Sequence, residues 1–375
     1  MGKIGNQQML REINKSLLLH LIYQHGPVSR IELSRQTKLS PSTVSILVEE
    51  ALREGIIYET GTSGSGVGRR VTLLNIKADS GYVLGLDLAG AQCVLLNMRG
   101  EIKSSHTIPR LIGETAIRQE LVGIVDDFLD SCPISRDQLR RIGVSVPGRV
   151  DETSQKVLRA IPLQLEEMNL GGFLEMTYQV PVSLFNDLDA AGFAERFNGV
   201  AQGLSTLVYI LIDYGVGAGI VINDKIYRGS SGGAGRIRVF SPYCTERLAL
   251  RLRQEHPEVF SDQGLTSKEV LHKFMEDGMR TEGPLHKELG ALVDHLSAYC
   301  GAILQFINPE QLILNGWITE NQAFFDRLTA KIREHEANIF ERPTPIKPAS
   351  WKELGAAVGA ATLGLHHIFK MKMVD

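Results

Sequence analysis

The sequence predicts two architectures in one chain: a small domain of helices with a two-stranded hairpin, and a larger α/β domain made of two related halves. Residues 7–58 contain three stretches with helical spacing of apolar side chains, each bounded by capping or helix-breaking residues. Residues 56–74 follow as two short strands around a glycine-rich loop. From residue 81, apolar strands alternate with amphipathic helices. These patterns favour an N-terminal winged helix-turn-helix followed by an actin-like (ribonuclease H-like) α/β two-lobed domain.

The length of 375 residues exceeds what one hydrophobic core usually holds, so two or three domains are expected. We place the winged helix at residues 1–78, the first α/β lobe at 79–190 and the second at 191–375, with a C-terminal helix that returns to the first lobe. The charge is uneven: residues 1–78 carry ten Lys or Arg against six Asp or Glu, whereas the whole chain has a net charge of −3. A locally basic domain suits a nucleic-acid partner, because binding to phosphates releases counterions.

The cysteines and the apolar runs argue against a disulfide-rich, a membrane-spanning or a secreted protein. Cys93, Cys132, Cys244 and Cys300 are far apart and form no CxxC pair, so we expect reduced thiols and no disulfide framework. No apolar run approaches the ~20 residues that span a bilayer, and the N-terminus lacks a basic-then-apolar signal pattern. We therefore expect a cytoplasmic protein that has no membrane partner.

Residues 28–58 are the best candidate for a DNA-binding element. Ser29 is placed to cap a short helix, and a tight turn leads to Pro41 at the start of a second helix. Small hydroxyl residues on the second helix suit phosphate and base-edge contacts in a major groove. The alternative is a generic helical hairpin with a polar face. The residues expected to contact DNA are Arg30, Arg35, Lys38, Ser40, Ser42, Thr43 and Ser45, with Arg69 and Arg70 from the end of the glycine-rich loop.

The α/β part contains two similar series of strands, turns and helices. Strands are predicted at residues 82–88, 93–97 and 141–146 in the first half, and at 207–212 and 311–314 in the second. Long amphipathic helices are predicted at residues 115–131, 285–306 and 354–365. Two related halves imply a cleft between them, where ligands usually bind.

Several short motifs, taken in order along the chain, resemble the ROK family of repressors, open reading frames and kinases, and in particular its winged-helix, sugar-responsive transcriptional repressors. The resemblance covers nearly the whole chain. It rests on residues 28–58, Gly68-Arg-Arg, Gly81-Tyr-Val-Leu-Gly-Leu-Asp87, Val144-Ser-Val-Pro-Gly148, Phe185-Asn-Asp187, Ile226-Tyr-Arg-Gly229, Asn308-Pro-Glu310 and Gly355-Ala-Ala357. It implies a DNA-binding transcriptional regulator of carbohydrate-metabolism genes that binds a double-stranded operator as a homodimer or a dimer of dimers.

The resemblance also implies where a kinase would bind ATP, and both phosphate loops are altered here. The family's Asp-x-Gly-Gly-Thr corresponds to the run from Asp87 to Ala91, in which Ala89 replaces one glycine and Ala91 replaces the threonine. The family's Gly-Thr-Gly corresponds to Asp213-Tyr214-Gly215, which adds a negative charge and bulk. We therefore expect no enzyme activity, although Asp187 matches the family's catalytic base.

The family's sugar and zinc motif is altered as well. Arg236 stands where the family has a sugar-contacting Glu, and Val239 stands where it has a zinc-ligating His. Cys244 alone cannot replace the family's cysteine cluster, so no zinc and no other cofactor is expected. The predicted ligand-binding residues are Asn186, Asp187, Arg236 and Glu246, and the arginine favours a phosphorylated sugar or sugar acid over a neutral sugar.

Three alternatives to this ligand-controlled repressor stay open. Arg236 can serve a surface ion pair or a protein interface in a regulator that has no small effector. The chain can be a sugar kinase with an N-terminal extension, which the presence of Asp187 favours and the altered loops oppose. Finally, a protein partner can control the repressor in place of a small molecule.

Overall fold

The computed structural model describes residues 2–63, 71–260, 262, 264–280, 282–337, 339 and 341–369. The chain divides into two units. The first contains Met1–Val144, Val150–Leu184 and Ala360–Asp375, and the second contains Ser145–Arg149 and Phe185–Gly359. The predicted lobe boundary between residues 190 and 191 lies inside a helix of the second unit.

The N-terminal part of the first unit is a winged helix-turn-helix, as predicted. Its elements are α1 (Gly2–His25), β1 (Val28–Ser29), α2 (Arg30–Thr37), α3 (Pro41–Arg53), β2 (Ile57–Ser63) and β3 (Val71–Ile76). The strands form one sheet in the order β1-β3-β2. Leu18 and Ile22 of α1, Leu33 of α2, and Val44 and Val48 of α3 are fully buried, so the three helices share one core.

Polar side chains define the ends of both short helices. Ser29 forms a capping box with Glu32: its side chain accepts the Glu32 N–H, and the Glu32 carboxylate accepts the Ser29 N–H at 2.8 Å. Ser40 caps α3 by accepting the Thr43 N–H at 3.1 Å, and Pro41 occupies the first helical position. These caps satisfy backbone donors that a helix start leaves unpaired, and they fix where α2 and α3 begin.

A cluster of charges joins α1 to α3. Glu50 accepts hydrogen bonds from Lys15 at 2.8 Å and from Arg11 at 2.7 Å, and Lys15 also contacts Glu54 at 2.6 Å. The hydrogen bonds from Lys15 and Arg11 lower the pKa of Glu50 to about 2. This cluster stabilises the packing of α3, since α1 lies on the side of α3 that carries Glu50.

The first unit continues with a five-stranded sheet and a smaller three-stranded sheet. The elements are β4 (Tyr82–Asp87), β5 (Gln92–Asn97), β6 (Ile102–Thr107), α4 (Glu114–Ser131), β7 (Leu139–Val146), β8 (Arg149–Asp151), β9 (Lys156–Ala160), β10 (Leu165–Met168), α5 (Leu170–Tyr178) and β11 (Val182–Asn186). The large sheet has the order β11-β7-β4-β5-β6, and the small one has the order β10-β9-β8.

The second unit repeats the large sheet. Its elements are α6 (Asp187–Asn198), β12 (Leu207–Ile212), β13 (Val216–Ile222), β14 (Lys225–Ile226), α7 (Thr245–Glu255), α8 (Ser267–Arg280), α9 (Pro284–Ile307), β15 (Gln311–Gly316), α10 (Gln322–Glu336), β16 (Ile346–Pro348) and α11 (Gly355–Phe369). The order β14-β13-β12-β15-β16 corresponds strand for strand to β6-β5-β4-β7-β11. The prediction of two related α/β halves is therefore confirmed.

Helix α9 is long and apolar enough to span a membrane by length and composition, although 39% of the tested window is buried inside the protein. Its buried side chains, among them Leu289, Leu296 and Cys300, belong to a core shared with α8 and α10. A core helix passes the same test, so this is weak evidence for a span.

Helix α11 begins in the second unit and ends in the first, and its small residues allow close backbone approaches in both. A β-carbon at Gly359 would overlap the Ala190 carbonyl within the second unit. A β-carbon at Gly143 of β7 would likewise overlap the Ala360 carbonyl within the first unit. Only glycine fits at either contact, because the neighbouring atoms are backbone that cannot move aside.

The end of α11 packs against α1. The ring of Phe369 stacks on Tyr23 with centroids 4.5 Å apart, and the rings of His366 and His20 stack at 6.1 Å. Burial raises the pKa of the Tyr23 hydroxyl and lowers the pKa of His20, which keeps both side chains neutral. The winged helix is thus joined to the end of α11 within the first unit through an aromatic contact.

Replacing Gly143 with Ala should reduce the free energy of unfolding by about 2–3 kcal/mol, because the methyl group forces β7 and α11 apart. Gly123→Ala is the matched control. It lies within α4 with no atom within 4 Å of the new β-carbon, and it should stabilise by ~0.5–1 kcal/mol. Chemical denaturation measures the free energy of unfolding of both variants. Equal changes in the two would contradict the close approach of Gly143 to the Ala360 carbonyl.

Acid should weaken the α1–α3 contact through Glu50. Because folding lowers the Glu50 pKa from 4.5 to about 2, the charge cluster stabilises the protein above pH 4.5 and loses this effect as the pH falls towards 2. Glu50→Gln should therefore cost about 1 kcal/mol at neutral pH and much less at pH 3. Thermal unfolding measured between pH 3 and neutral pH tests this change in cost. The exposed Glu120→Gln on α4 is the control. A Glu50→Gln cost that does not change with pH would refute the assignment.

Candidate functional site

The outward face of α3 carries the predicted hydroxyl residues. Ser42 and Ser45 are exposed, and Thr43 is half-buried. The hydroxyl oxygen of Ser40 lies 2.8 Å from those of Ser42 and Thr43, and Ser45 donates to the Pro41 carbonyl at 2.9 Å. The structure thus places these four predicted residues together at the start of α3. Ser40 is the N-cap of this helix, and the other three lie in its first turns.

The predicted cations of this region fall into two groups. Arg30 is half-buried and held between Glu49 and Glu59, each at 2.9 Å. Arg35 and Lys38 are exposed, and neither forms an ion pair with the residues that the structure describes. Lys38 ends α2 with φ of 58°, a left-handed conformation that lets the chain turn sharply into α3. Arg69 and Arg70 lie outside the described residues.

A second group of polar residues meets at the N-terminus of α6 in the second unit. The Gly148 carbonyl accepts hydrogen bonds from Asn186 at 3.0 Å and from Arg236 at 2.8 Å. Asn186 also caps α6, because its side-chain oxygen accepts the N–H groups of Leu188 and Asp189. The Asn186 amide donates in addition to the Asp187 carboxylate at 2.9 Å. Three of the four predicted ligand-binding residues are therefore adjacent; we call Asn186, Asp187 and Arg236, with Gly148, the α6 cluster.

The backbone around Gly235 positions Arg236. Gly235 has φ of +76°, and a β-carbon there would overlap the Ala218 carbonyl. The Ala218 N–H donates to the Gly235 carbonyl at 2.8 Å, so the loop is attached directly to β13. No carboxylate among the described residues lies within ion-pair distance of Arg236, which is exposed. The guanidinium is held by a neutral carbonyl and keeps its full positive charge.

Sequence reasoning missed two residues beside this cluster. Asp189 is buried in the first turn of α6, and its carboxylate accepts a hydrogen bond from Arg228 at 3.3 Å. The spacing of Asp187 and Asp189 near the start of a helix was visible in the sequence, since acidic residues are favoured there. The distant partner Arg228 had no comparable signal, because tertiary folding alone brings it to α6.

Glu246 makes a different contact from the rest of the predicted ligand set. It lies in the first turn of α7, is exposed, and accepts a hydrogen bond from the Ser267 hydroxyl at 2.6 Å. This contact links α7 to the start of α8.

Both loops that would hold phosphates in a kinase contain a carboxylate with protein partners. Asp87 accepts the N–H groups of Ala89 and Gly90, each at 3.1 Å. In the second unit, Asp213 accepts a hydrogen bond from Thr245 at 2.6 Å, and burial raises its pKa. Asp87 belongs to the family's own phosphate motif, so the altered positions are Ala89 and Ala91 in the first loop and Asp213 in the second.

The cysteines do not fit the family's zinc site. Cys244 lies immediately before α7, and burial raises the pKa of Cys300 in α9 to about 12, so that thiol stays protonated. The side chain of Val239 lies outside the described residues. Among described residues, the ligand atoms of Glu255, His256 and Glu288 come within 4.8 Å of one another. Arg251 neutralises both carboxylates, so this group is better described as an ion-pair network.

Known proteins are similar to this chain in sequence. The ROK family model matches residues 83–238. A putative xylose repressor from Caldicellulosiruptor sp. strain Rt8B.4 is 33% identical over 238 residues, which are 62% of this chain and 60% of that protein. Over the matched region the chain is thus similar to the ROK family. The xylose repressor of Bacillus subtilis strain 168 is 25% identical over 98% of this chain and 99% of its own length. The chain thus spans about 60% of one curated relative and nearly all of another.

Solved structures show the same fold. A ROK family transcriptional regulator, described as a homolog of the E. coli MLC protein, matches with a TM-score of 0.78 and 19% identity over 95% of this chain and 97% of its own. A ROK family glucokinase from Streptomyces griseus, in complex with glucose and AMPPNP, matches with a TM-score of 0.64 and 19% sequence identity. The match covers 76% of this chain and 99% of that chain. Both confirm the predicted fold class. The fold alone does not separate a regulator from a kinase.

Proposed function

We propose that this protein is a DNA-binding transcriptional repressor of carbohydrate-metabolism genes. The observation that carries the proposal is the pair of capped helices α2 and α3, with Ser42, Ser45, Arg35 and Lys38 exposed. Hydroxyl and cationic side chains at the start of a second helix are what a helix-turn-helix uses on phosphates and base edges. The names of the relatives, both xylose repressors, support the same function.

The proposed partner is a double-stranded operator with two-fold symmetry, bound in the cytoplasm by a homodimer or a dimer of dimers. A single winged helix covers only one half-site, and a two-fold dimer places a second copy on the other. Two-fold dimers are also the commonest homo-oligomers.

The proposed effector is a sugar or sugar derivative that binds at the α6 cluster. Asp187 supplies a carboxylate that suits sugar hydroxyls, and Arg236 supplies a positive charge without a carboxylate partner among the described residues. This pairing favours a phosphorylated sugar or a sugar acid, because guanidinium binds phosphate and carboxylate well. To control DNA binding, the effector must bind the DNA-free and the DNA-bound arrangements with different affinities.

We also propose that the protein is not a kinase and holds no zinc. Ala91 replaces the threonine of the first phosphate loop, Asp213 occupies the second, and the cysteines do not form a zinc ligand set with the described residues. A sugar kinase is the second candidate, since Asp187 is in place at the start of α6 and kinases share the fold. If the protein consumes ATP in an assay with several hexoses and Asp187→Ala abolishes this turnover, the kinase is favoured.

A protein partner is the remaining alternative to a small effector. If such a partner controls the repressor, no metabolite should release it from DNA.

DNA binding is tested by selecting fragments of genomic DNA that the full chain retains. Lys38→Ala should then weaken binding to all selected sites about equally and reduce the slope of log affinity against log salt by about 1, because one phosphate contact is lost. The exposed Lys225→Ala of β14 is the control and should leave the slope unchanged. Failure to retain any fragment would refute the proposed function.

The preference for an anionic effector is tested by calorimetric titration with matched neutral and phosphorylated sugars. Arg236→Gln should weaken binding of phosphorylated sugars about tenfold or more and leave neutral sugars little changed, because one charge-assisted hydrogen bond is lost. Arg247→Gln, an exposed arginine on α7, is the control. Failure of every sugar to bind, or an equal effect on both classes, would contradict this preference.

A further inference from the structure

Ile46 is an apolar side chain on the otherwise polar outer face of α3. Its side chain is 58% exposed, whereas Val44, Leu47 and Val48 on the other side of the helix are buried. Ser42 precedes it by one turn, Ser45 is its neighbour, and both are exposed. One exposed isoleucine is unremarkable by itself, so its surroundings decide whether it has a role.

The polar side chains around Ile46 are engaged with the protein itself. Ser45 donates its hydroxyl proton to the Pro41 carbonyl, and Ser42 lies within hydrogen-bonding distance of Ser40. Glu49, the next outward residue along the helix, pairs with Arg30 at 2.9 Å. The isoleucine side chain is longer than those of the two serines beside it, and it is the apolar one of the three.

A DNA base edge in the major groove offers one kind of apolar group. Thymine alone carries a methyl group there, and aliphatic side chains contact it. We propose that Ile46 determines operator specificity by packing against the 5-methyl group of a thymine in each half-site. This inference rests on the proposed function, and it names one base that the operator must contain.

Helix α2 of the helix-turn-helix provides a matched control for Ile46 of α3. Ile31 of α2 is 59% exposed, almost the same as Ile46, but it lies on the other helix of the motif. Truncating either isoleucine removes the same atoms from the surface of the same domain. A difference between the two variants therefore reports position, because the change in chemistry is identical.

The experiment uses the full chain and an operator selected from random duplexes. Each thymine is replaced in turn by deoxyuridine, which lacks only the methyl group, and the Kd is measured by fluorescence anisotropy at fixed salt. For wild type, one replacement per half-site should weaken binding about fourfold, as expected for one buried methyl group. Ile46→Ala should bind the thymine and deoxyuridine duplexes equally, Ile46→Val should keep part of the difference, and Ile31→Ala should keep all of it.

The outcomes separate this inference from the proposed function. Tight binding of a selected operator, with the same methyl dependence in Ile46→Ala as in wild type, overturns the role of Ile46 and leaves the DNA-binding function intact. The same holds if no thymine methyl group affects wild type. Selection of no duplex by the wild-type protein overturns both. Unfolding curves of the variants at equal concentration show that the exposed substitutions leave the fold unchanged.

Discussion

The close backbone approaches of α11 are the constraint on which much of the structure depends. Gly359 contacts α6 within the second unit, and Gly143 lets Ala360 approach β7 within the first. The same helix then carries Phe369 onto Tyr23 of α1. One helix thus packs within each unit, and its last residue stacks on α1 of the winged helix.

The winged helix is held together by local contacts at the starts of its helices and by tertiary contacts between them. Ser29, Glu32 and Ser40 fix the ends of α2 and α3 by pairing backbone groups that water would otherwise bind. Glu50 then joins α3 to α1 through Lys15 and Arg11. The outer face of α3 is left with short hydroxyl side chains and Ile46, a surface that suits a groove more than a protein core.

The α6 cluster preserves one part of a sugar-phosphorylating site and replaces others. Asn186 and Asp187 remain at the helix start, where the cap positions the carboxylate. Arg236 reverses the charge beside them, and Ala91 and Asp213 replace residues of the two phosphate loops. The chemistry that we propose for this site is recognition of hydroxyls and anions without phosphoryl transfer.

The sequence alone determined the class and order of the elements, the caps at Ser29 and Ser40, and the altered phosphate loops, because periodicity and capping are local properties. It also placed Asn186, Asp187 and Arg236 in one ligand set by family resemblance. It did not predict the small sheet β8–β10, the helices α5, α6, α8 and α10, or the pairing of Arg228 with Asp189. Only the tertiary structure decided that Arg236 meets Asn186 at the Gly148 carbonyl, 88 residues away in the chain, and that Ile46 stays outside the core. Contacts between distant segments depend on how whole elements pack, which no short stretch of sequence encodes.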